Sequence, residues 1–214
     1  MPVNFINMDI IEAIELDMPD VVLHGCHCFC LMEHGVAKVL GDYFPKLKEA
    51  DLKTAKGDKF KLGTFSHATL YQPEKEPILF VNGYTQFNYG KFHYQNKSGF
   101  DYDSFDLLLS RVLHRLGKNR KDDAKPLVFL MPFIGGDRGN STPERIIEIL
   151  NRHFKDEMLY VCVKKEKNRS PKPGMKEIIN NATTTTDVIK KSLSLTSSKQ
   201  ENYWKLLETK KTQI

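Results

Sequence analysis

Two hydrophobic rhythms alternate along roughly the first 160 residues. Short continuous apolar runs form one of them. Val21-Val22-Leu23-His24, Ile78-Leu79-Phe80-Val81-Asn82, Leu127-Val128-Phe129-Leu130-Met131 and Met158-Leu159-Tyr160-Val161-Cys162-Val163 read as strands covered on both faces. Lys61 to Gln72 reads as a further strand, with Phe65, Ala68 and Leu70 inward. The other rhythm is helical. From His34 to Phe44, residues Val36, Ala37, Val39, Leu40 and Tyr43 recur at helix spacing. From Asp103 to Leu116 one face carries Phe105, Leu108, Leu109, Val112, Leu113 and Leu116, and Gly117 stops the helix. A third helix opens at Ser141-Thr142-Pro143-Glu144, capped by a hydroxyl, with Pro143 in its first turn and Glu144 placed for a capping box if Ser141 is the cap. Ile146, Ile147, Ile149, Leu150 and Phe154 form its buried stripe. Strands alternating with helices predict a layered α/β domain with a largely parallel sheet, in which ligands sit at the carboxyl ends of the strands.

Past Val163 the pattern stops. Lys164 to Gly174 is charged and contains prolines, 183–186 is a threonine run, and 192–200 is serine-rich, so apolar content is too thin to offset the entropy of ordering. Within this stretch only Tyr203 to Leu207 offers apolar residues for docking. The expected division is a domain over 1–163 and a basic, flexible tail over 164–214. Charge follows the same boundary. The tail holds 12 Lys/Arg against 5 Asp/Glu, whereas the rest holds 20 against 22, so the net +5 belongs to the tail. The globular part is therefore not a nucleic-acid-binding body by charge. The tail reads as a solvated arm or, more sharply, as a weak contact for nucleic acid or an acidic partner. No apolar run reaches the length of a membrane span and no signal peptide is visible. Cys26, Cys28, Cys30 and Cys162 do not form a secreted disulfide framework, so a reducing, cytoplasmic setting is expected.

Four segments fall at strand ends: Asn7-Met8-Asp9-Ile10; Gly25 to Ala37; Asn82-Gly83-Tyr84-Thr85-Gln86; and Pro132 to Ser141 with its three glycines. A glycine loop running into a helix suits a phosphate, because backbone amides can approach it and the helix start adds positive potential. Two such loops facing each other would clamp a diphosphate, while the plainer reading is a pair of tight turns. Asn82 would face a ribose or satisfy a turn. Tyr84, Phe87 and Tyr89 are core residues or stack on a ligand, with core expected for two of the three. Cys26, Cys28 and Cys30 near His24, His27 and His34 bring zinc or a thiol nucleophile to mind. No second ligand pair follows, so the thiols read as packing residues, with no metal or cofactor.

The order and wording of these segments resemble the macro domain, within it the branch of ADP-ribose-1″-phosphate phosphatases. The likeness runs over 3–163 and rests on Phe5-Ile6-Asn7-Met8-Asp9-Ile10, His24-Gly25-Cys26 through Gly35-Val36-Ala37-Lys38, Phe44-Pro45, Lys61-Leu62-Gly63-Thr64, Val81-Asn82-Gly83-Tyr84, and Met131-Pro132-Phe133-Ile134-Gly135. The resemblance implies a three-layer α/β macro domain, its mixed, largely parallel sheet between helices, that binds ADP-ribose or a derivative, free or on an ADP-ribosylated protein. It implies hydrolysis of ADP-ribose-1″-phosphate or of an ADP-ribosyl linkage, or a degenerate domain that only reads or sequesters such ligands. By match, Asp9 accepts from the adenine amino group and Ile10 meets the ring through its backbone. Gly35, Val36 and Ala37 lie along phosphates and ribose. His27 and His34 depart from the family pattern and would donate to a phosphate when protonated. Ile134, Gly135, Gly136, Asp137, Arg138 and Gly139 wrap the diphosphate. His27 stands where the branch has Asn, at the distal ribose, and His27 and Asp137 are the candidate catalytic residues. Glu33 and Asp137 add carboxylates to both phosphate loops. At about 6 Å and an effective dielectric near 20 each would repel a phosphate charge by roughly 3 kcal/mol, unless turned outward or offset by Lys38 and Arg138.

Overall fold

A computed structural model describes residues 3–88, 99–118, 125–135, 141–163 and 175–182. The elements run β1 (Asn4–Ile6), α1 (Ile10–Glu15), β2 (Val21–His27), α2 (Gly35–Tyr43), α3 (Pro45–Leu52), a 3₁₀ turn (Lys59–Lys61), β3 (Phe65–Leu70), β4 (Ile78–Gln86), α4 (Tyr102–Gly117), β5 (Val128–Pro132), α5 (Pro143–His153), β6 (Met158–Cys162) and α6 (Met175–Asn181). The strands form one six-stranded sheet in the order β1-β6-β5-β2-β4-β3. All neighbours are parallel except the edge pair β3 and β4.

Period-two alternation sorts the apolar strand residues into two cores. Val22, Phe80, Leu130 and Tyr160 face α1, α2 and α3. Val21, Leu23, Val81, Phe129, Met131, Leu159 and Val161 face α4 and α5. The result is the three-layer arrangement expected from the sequence. Each fully buried large side chain, such as Phe80 or Phe105, contributes about 1.5–3 kcal/mol. Among the described residues no helix is long and apolar enough to cross a membrane.

Several expectations are corrected. Asn82 and Gly83 do not end their strand, because β4 continues to Gln86. α4 lies so close over Gly83 that a Cβ there would come within 2.2 Å of Leu108, which is why glycine stands at a mid-strand position. In β3 the inward set is not Phe65, Ala68 and Leu70. Ala68 and Leu70 pack against the α1–α3 core and Phe65 against the opposite one, as alternation requires. Thr142 occupies the cap position of α5 and its hydroxyl caps nothing, so neither the expected hydroxyl cap nor a capping box from Ser141 forms. The stretch past 163 contributes α6, whose Met175, Ile178 and Ile179 pack against the α4–α5 core. Tyr203 to Leu207 lies outside the described residues.

Candidate functional site

The chain leaves β2 through α2, α3 and β3 toward β4 on one side, and leaves β5 through α5 toward β6 on the other. The strand order therefore reverses between β2 and β5, and a crevice is expected above their carboxyl ends. The pairing shows this opening. β2 and β5 are in register only at Val21↔Phe129 and Val22↔Leu130, and Pro132 has no N–H with which to extend the ladder.

Both loops above this opening run into helices that start without a side-chain cap. The α2 cap is His34, whose ring caps nothing, and Gly35 follows with φ 58. Glu33, His34 and Gly35 are exposed, and Val36 is half-buried. Thr142 likewise makes no side-chain cap to α5; its own N–H donates to the Tyr102 hydroxyl at 2.6 Å. By contrast α1 and α4, which follow β1 and β4, are capped by Asp9 and Asp101. An uncapped start leaves first-turn amides and their positive potential available to an anion.

The β5 loop turns at Gly135, with φ 74. Ile134 is buried and sits against Gly25 of β2. A Cβ on Gly135 would fall 2.7 Å from Ser141 Oγ and 2.9 Å from Phe100, so backbone alone fits there. Two buried hydroxyls flank this turn. Thr85 Oγ1, beside Gly25 and Ile134, and Ser141 Oγ, beside Gly135, have no hydrogen-bond partner among the described residues. A buried hydroxyl without a partner costs about 1–3 kcal/mol, so their joint presence marks a polar site. Sequence reading placed Thr85 only within a segment at a strand end, and Ser141 only as one possible cap of α5.

Asp9 lies along the same edge of the sheet, two strands beyond β5 and so about 10 Å from it. Its Oδ1 accepts from the Ile11 amide at 2.9 Å, and Ile10 starts α1 and is buried. Burial, then Asp9 and Glu12, push the Cys162 thiol up to about 12. Gly136, Asp137, Arg138 and Gly139 lie outside the described residues.

His27 ends β2 half-buried. Its Nδ1 accepts from the Phe29 amide at 3.1 Å. Burial lowers its pKa, partly offset by a hydrogen bond to the Leu31 backbone, so the ring is held neutral and spans its own turn. Asn82 is fully buried rather than ligand-facing. Its Oδ1 accepts from His24 Nε2 at 2.7 Å, and its amide donates to Leu47 O and Ser66 Oγ, both at 3.0 Å. From there Ser66 reaches the Tyr84 hydroxyl at 3.0 Å and Tyr84 donates to Asp51 Oδ1 at 2.8 Å. Lys61 closes the chain, with Nζ 3.9 Å from Asp51 and 4.1 Å from the centre of the Tyr84 ring. Tyr84 is thus core, as expected for two of the three aromatics; Phe87 packs edge-on against Phe29 and Tyr89 lies outside the described residues. Cys26, Cys28 and Cys30 are buried, and the described residues contain no group of His, Cys, Asp and Glu able to hold a metal ion.

No family model matches the chain. A 17.5 kDa protein from the tk-vs intergenic region of Enterobacteria phage T4 is 35% identical over 133 residues, which span 62% of this chain and 78% of the phage protein. The chain belongs to the family of that phage protein. Solved structures fix the architecture as a macrodomain. The macrodomain of Thermus aquaticus DarG superposes with a TM-score of 0.54 at 14% identity, over 75% of this chain and 97% of that one. The macrodomain of Mycobacterium tuberculosis DarG gives 0.54 at 15% identity, over 77% and 98%. Thermosipho africanus DarTG, solved in complex with ADP-ribose, gives 0.54 at 12% identity, over 80% of this chain and 43% of that one.

Proposed function

We propose that this macrodomain binds ADP-ribose or a close derivative in the crevice between β2 and β5, with the adenine toward Asp9. The supporting observation is the pairing of two uncapped helix starts with two buried hydroxyls around the Gly135 turn that lack partners among the described residues. Amides of Gly35 and Val36 on one side, and of Ile134, Gly135 and the residues after it on the other, would take the diphosphate. The likeness of fold to DarTG, solved with ADP-ribose, supports the same ligand class. Isothermal calorimetry of the full chain with ADP-ribose and ADP-ribose-1″-phosphate is the test. Micromolar binding is expected, and no heat with either ligand would overturn the reading.

Whether the bound ligand is turned over is a separate matter. Hydrolysis of ADP-ribose-1″-phosphate or of an ADP-ribosyl linkage needs a base or acid at the distal ribose. The non-catalytic reading, a domain that reads or sequesters the ligand, is favoured by His27, whose ring is engaged by the Phe29 and Leu31 backbone. It predicts no phosphate release from ADP-ribose-1″-phosphate above that of the H27A/D137A double variant. Release well above that control would make Asp137 or His27 part of a hydrolase.

A further inference from the structure

The crevice uses neither Lys61 nor the thiols behind it. Lys61 sits in the 3₁₀ turn ahead of β3, yet it is only 6% exposed. Its Nζ lies 3.1 Å from the Cys30 sulfur and 3.1 Å from the carbonyl oxygen of Cys28. Cys30 is 4% exposed and belongs to the loop between β2 and α2. Its backbone takes φ 55, a conformation that a residue with a Cβ adopts only when its surroundings enforce it. Thr54 Oγ1, at 3.4 Å, holds the sulfur from another side. A nucleophilic sulfur and an amine nitrogen are thus fixed at reaction distance inside a shielded site.

We propose that Cys30 and Lys61 are a redox-modified pair, joined by a sulfur–nitrogen bond when the protein meets a peroxide. In the first step an electron pair on the Cys30 sulfur attacks one oxygen of hydrogen peroxide. The S–O bond forms, the O–O bond breaks, and the departing hydroxide takes up the thiol proton and leaves as water. Cys30 is then a sulfenic acid, a species that condenses with nearby nitrogen. In the second step Lys61 passes one ammonium proton to the Asp51 carboxylate, 3.9 Å away, and the freed amine attacks that sulfur. The N–S bond forms, the S–O bond breaks, and the hydroxide leaves as water with a proton from the nitrogen. One thiol, one ammonium, one carboxylate and one peroxide give one sulfenamide, one carboxylic acid and two waters; sulfur is oxidised and peroxide reduced. The bond ties the loop that carries Cys28 to Cys30 onto the 59–61 turn and closes a covalent ring across α2 and α3. A Cys28–Cys30 disulfide is the poorer product, because two cysteines one residue apart are badly placed for the required geometry.

The test is hydrogen peroxide treatment of the folded full chain, followed by peptide mapping by mass spectrometry. The expected product is a linked pair of peptides carrying Cys30 and Lys61, lighter by two hydrogens than their sum and released by dithiothreitol. Oxidation should also raise the melting temperature, reversibly, since a cross-link restricts the unfolded chain. C30S, which keeps Lys61 in place, should show neither the linked peptides nor the shift. Recovery of Cys30 from the folded wild-type chain as a free thiol, as an unlinked sulfinic acid or as a disulfide with Cys28 would overturn the proposal.

Discussion

Strand β2 has two unlike flanks. Toward β4 it is paired from Val21 to His27, with one irregularity after Cys26, and behind this flank lies the chain of hydrogen bonds from His24 through Asn82, Ser66 and Tyr84 to Asp51. Toward β5 the pairing ends after Val22, and the next groups met are a left-handed glycine, the hydroxyls of Ser141 and of Thr85 from the end of β4, without partners among the described residues, and two uncapped helix starts. Apart from the Thr85 hydroxyl near the end of β4, the first flank satisfies its buried polar groups internally and therefore specifies structure. The second leaves polar groups unsatisfied, which is tolerable at a place where a ligand completes the bonding. On the reading proposed above, stability and ligand binding fall on opposite sides of a single strand.

Asp51→Ala strikes the first flank hardest. It removes the acceptor for Tyr84 and the carboxylate beside Lys61, and leaves a buried ammonium without its counter-charge. A loss of about 3–5 kcal/mol is expected, read as a lower urea midpoint with an unchanged slope. A loss below about 1 kcal/mol would mean that the network does not specify this side of the fold.

Acid should act on the same flank. Burial drives the His24 pKa from 6.5 down to about 4, against the opposing pull of the Asn82 hydrogen bond. Between those values the unfolded chain takes up a proton that the folded chain refuses. Stability is therefore full above pH 6.5 and falls as pH drops toward 4, by about 3 kcal/mol from this group. Urea titrations at pH 7 and pH 4.5 should show the loss in the wild type, and a smaller loss in His24→Gln.

Gly135→Ala sharpens the contrast from the other flank. The added Cβ meets Ser141 and Phe100 and must sit at φ 74, a strain of about 1–3 kcal/mol. Its larger effect should be on ligand, with ADP-ribose affinity falling more than tenfold as the turn moves. Calorimetry beside thermal unfolding separates the two effects. Unchanged affinity would move the diphosphate away from this turn.

The unequal legibility of the two flanks has a physical cause. Apolar runs at Val21, Ile78, Leu127 and Met158 announced the parallel strands, because strands covered on both faces need continuous apolar sequence. The glycine turn at Gly135 was legible for a similar local reason. The polar network was not. Asp51, Lys61, Ser66 and Tyr84 come from α3, a 3₁₀ turn, β3 and β4, and nothing local distinguishes a buried Lys61 from the exposed lysines around it. Asn82 was misplaced for the same reason: an Asn-Gly pair reads as a turn unless the helix packed over Gly83 is known.

The smallest expected effect tests whether the site extends along the sheet to Asp9. Asp9 has a structural role already, because its carboxylate caps α1 through the Ile11 amide. Asp9→Ala should therefore cost about 1 kcal/mol of stability whether or not any ligand binds, and by itself decides nothing about adenine. Asp9→Ser separates the roles, since a serine hydroxyl still caps the helix but brings no charged acceptor. Stability of that variant should stay within about 0.5 kcal/mol of wild type. Its ADP-ribose affinity should fall by about 1–3 kcal/mol, the worth of a hydrogen bond to a charged group. ADP-ribose bound equally by Asp9→Ser and wild type would confine the ligand to the flank between β2 and β5 and leave Asp9 as a helix cap alone.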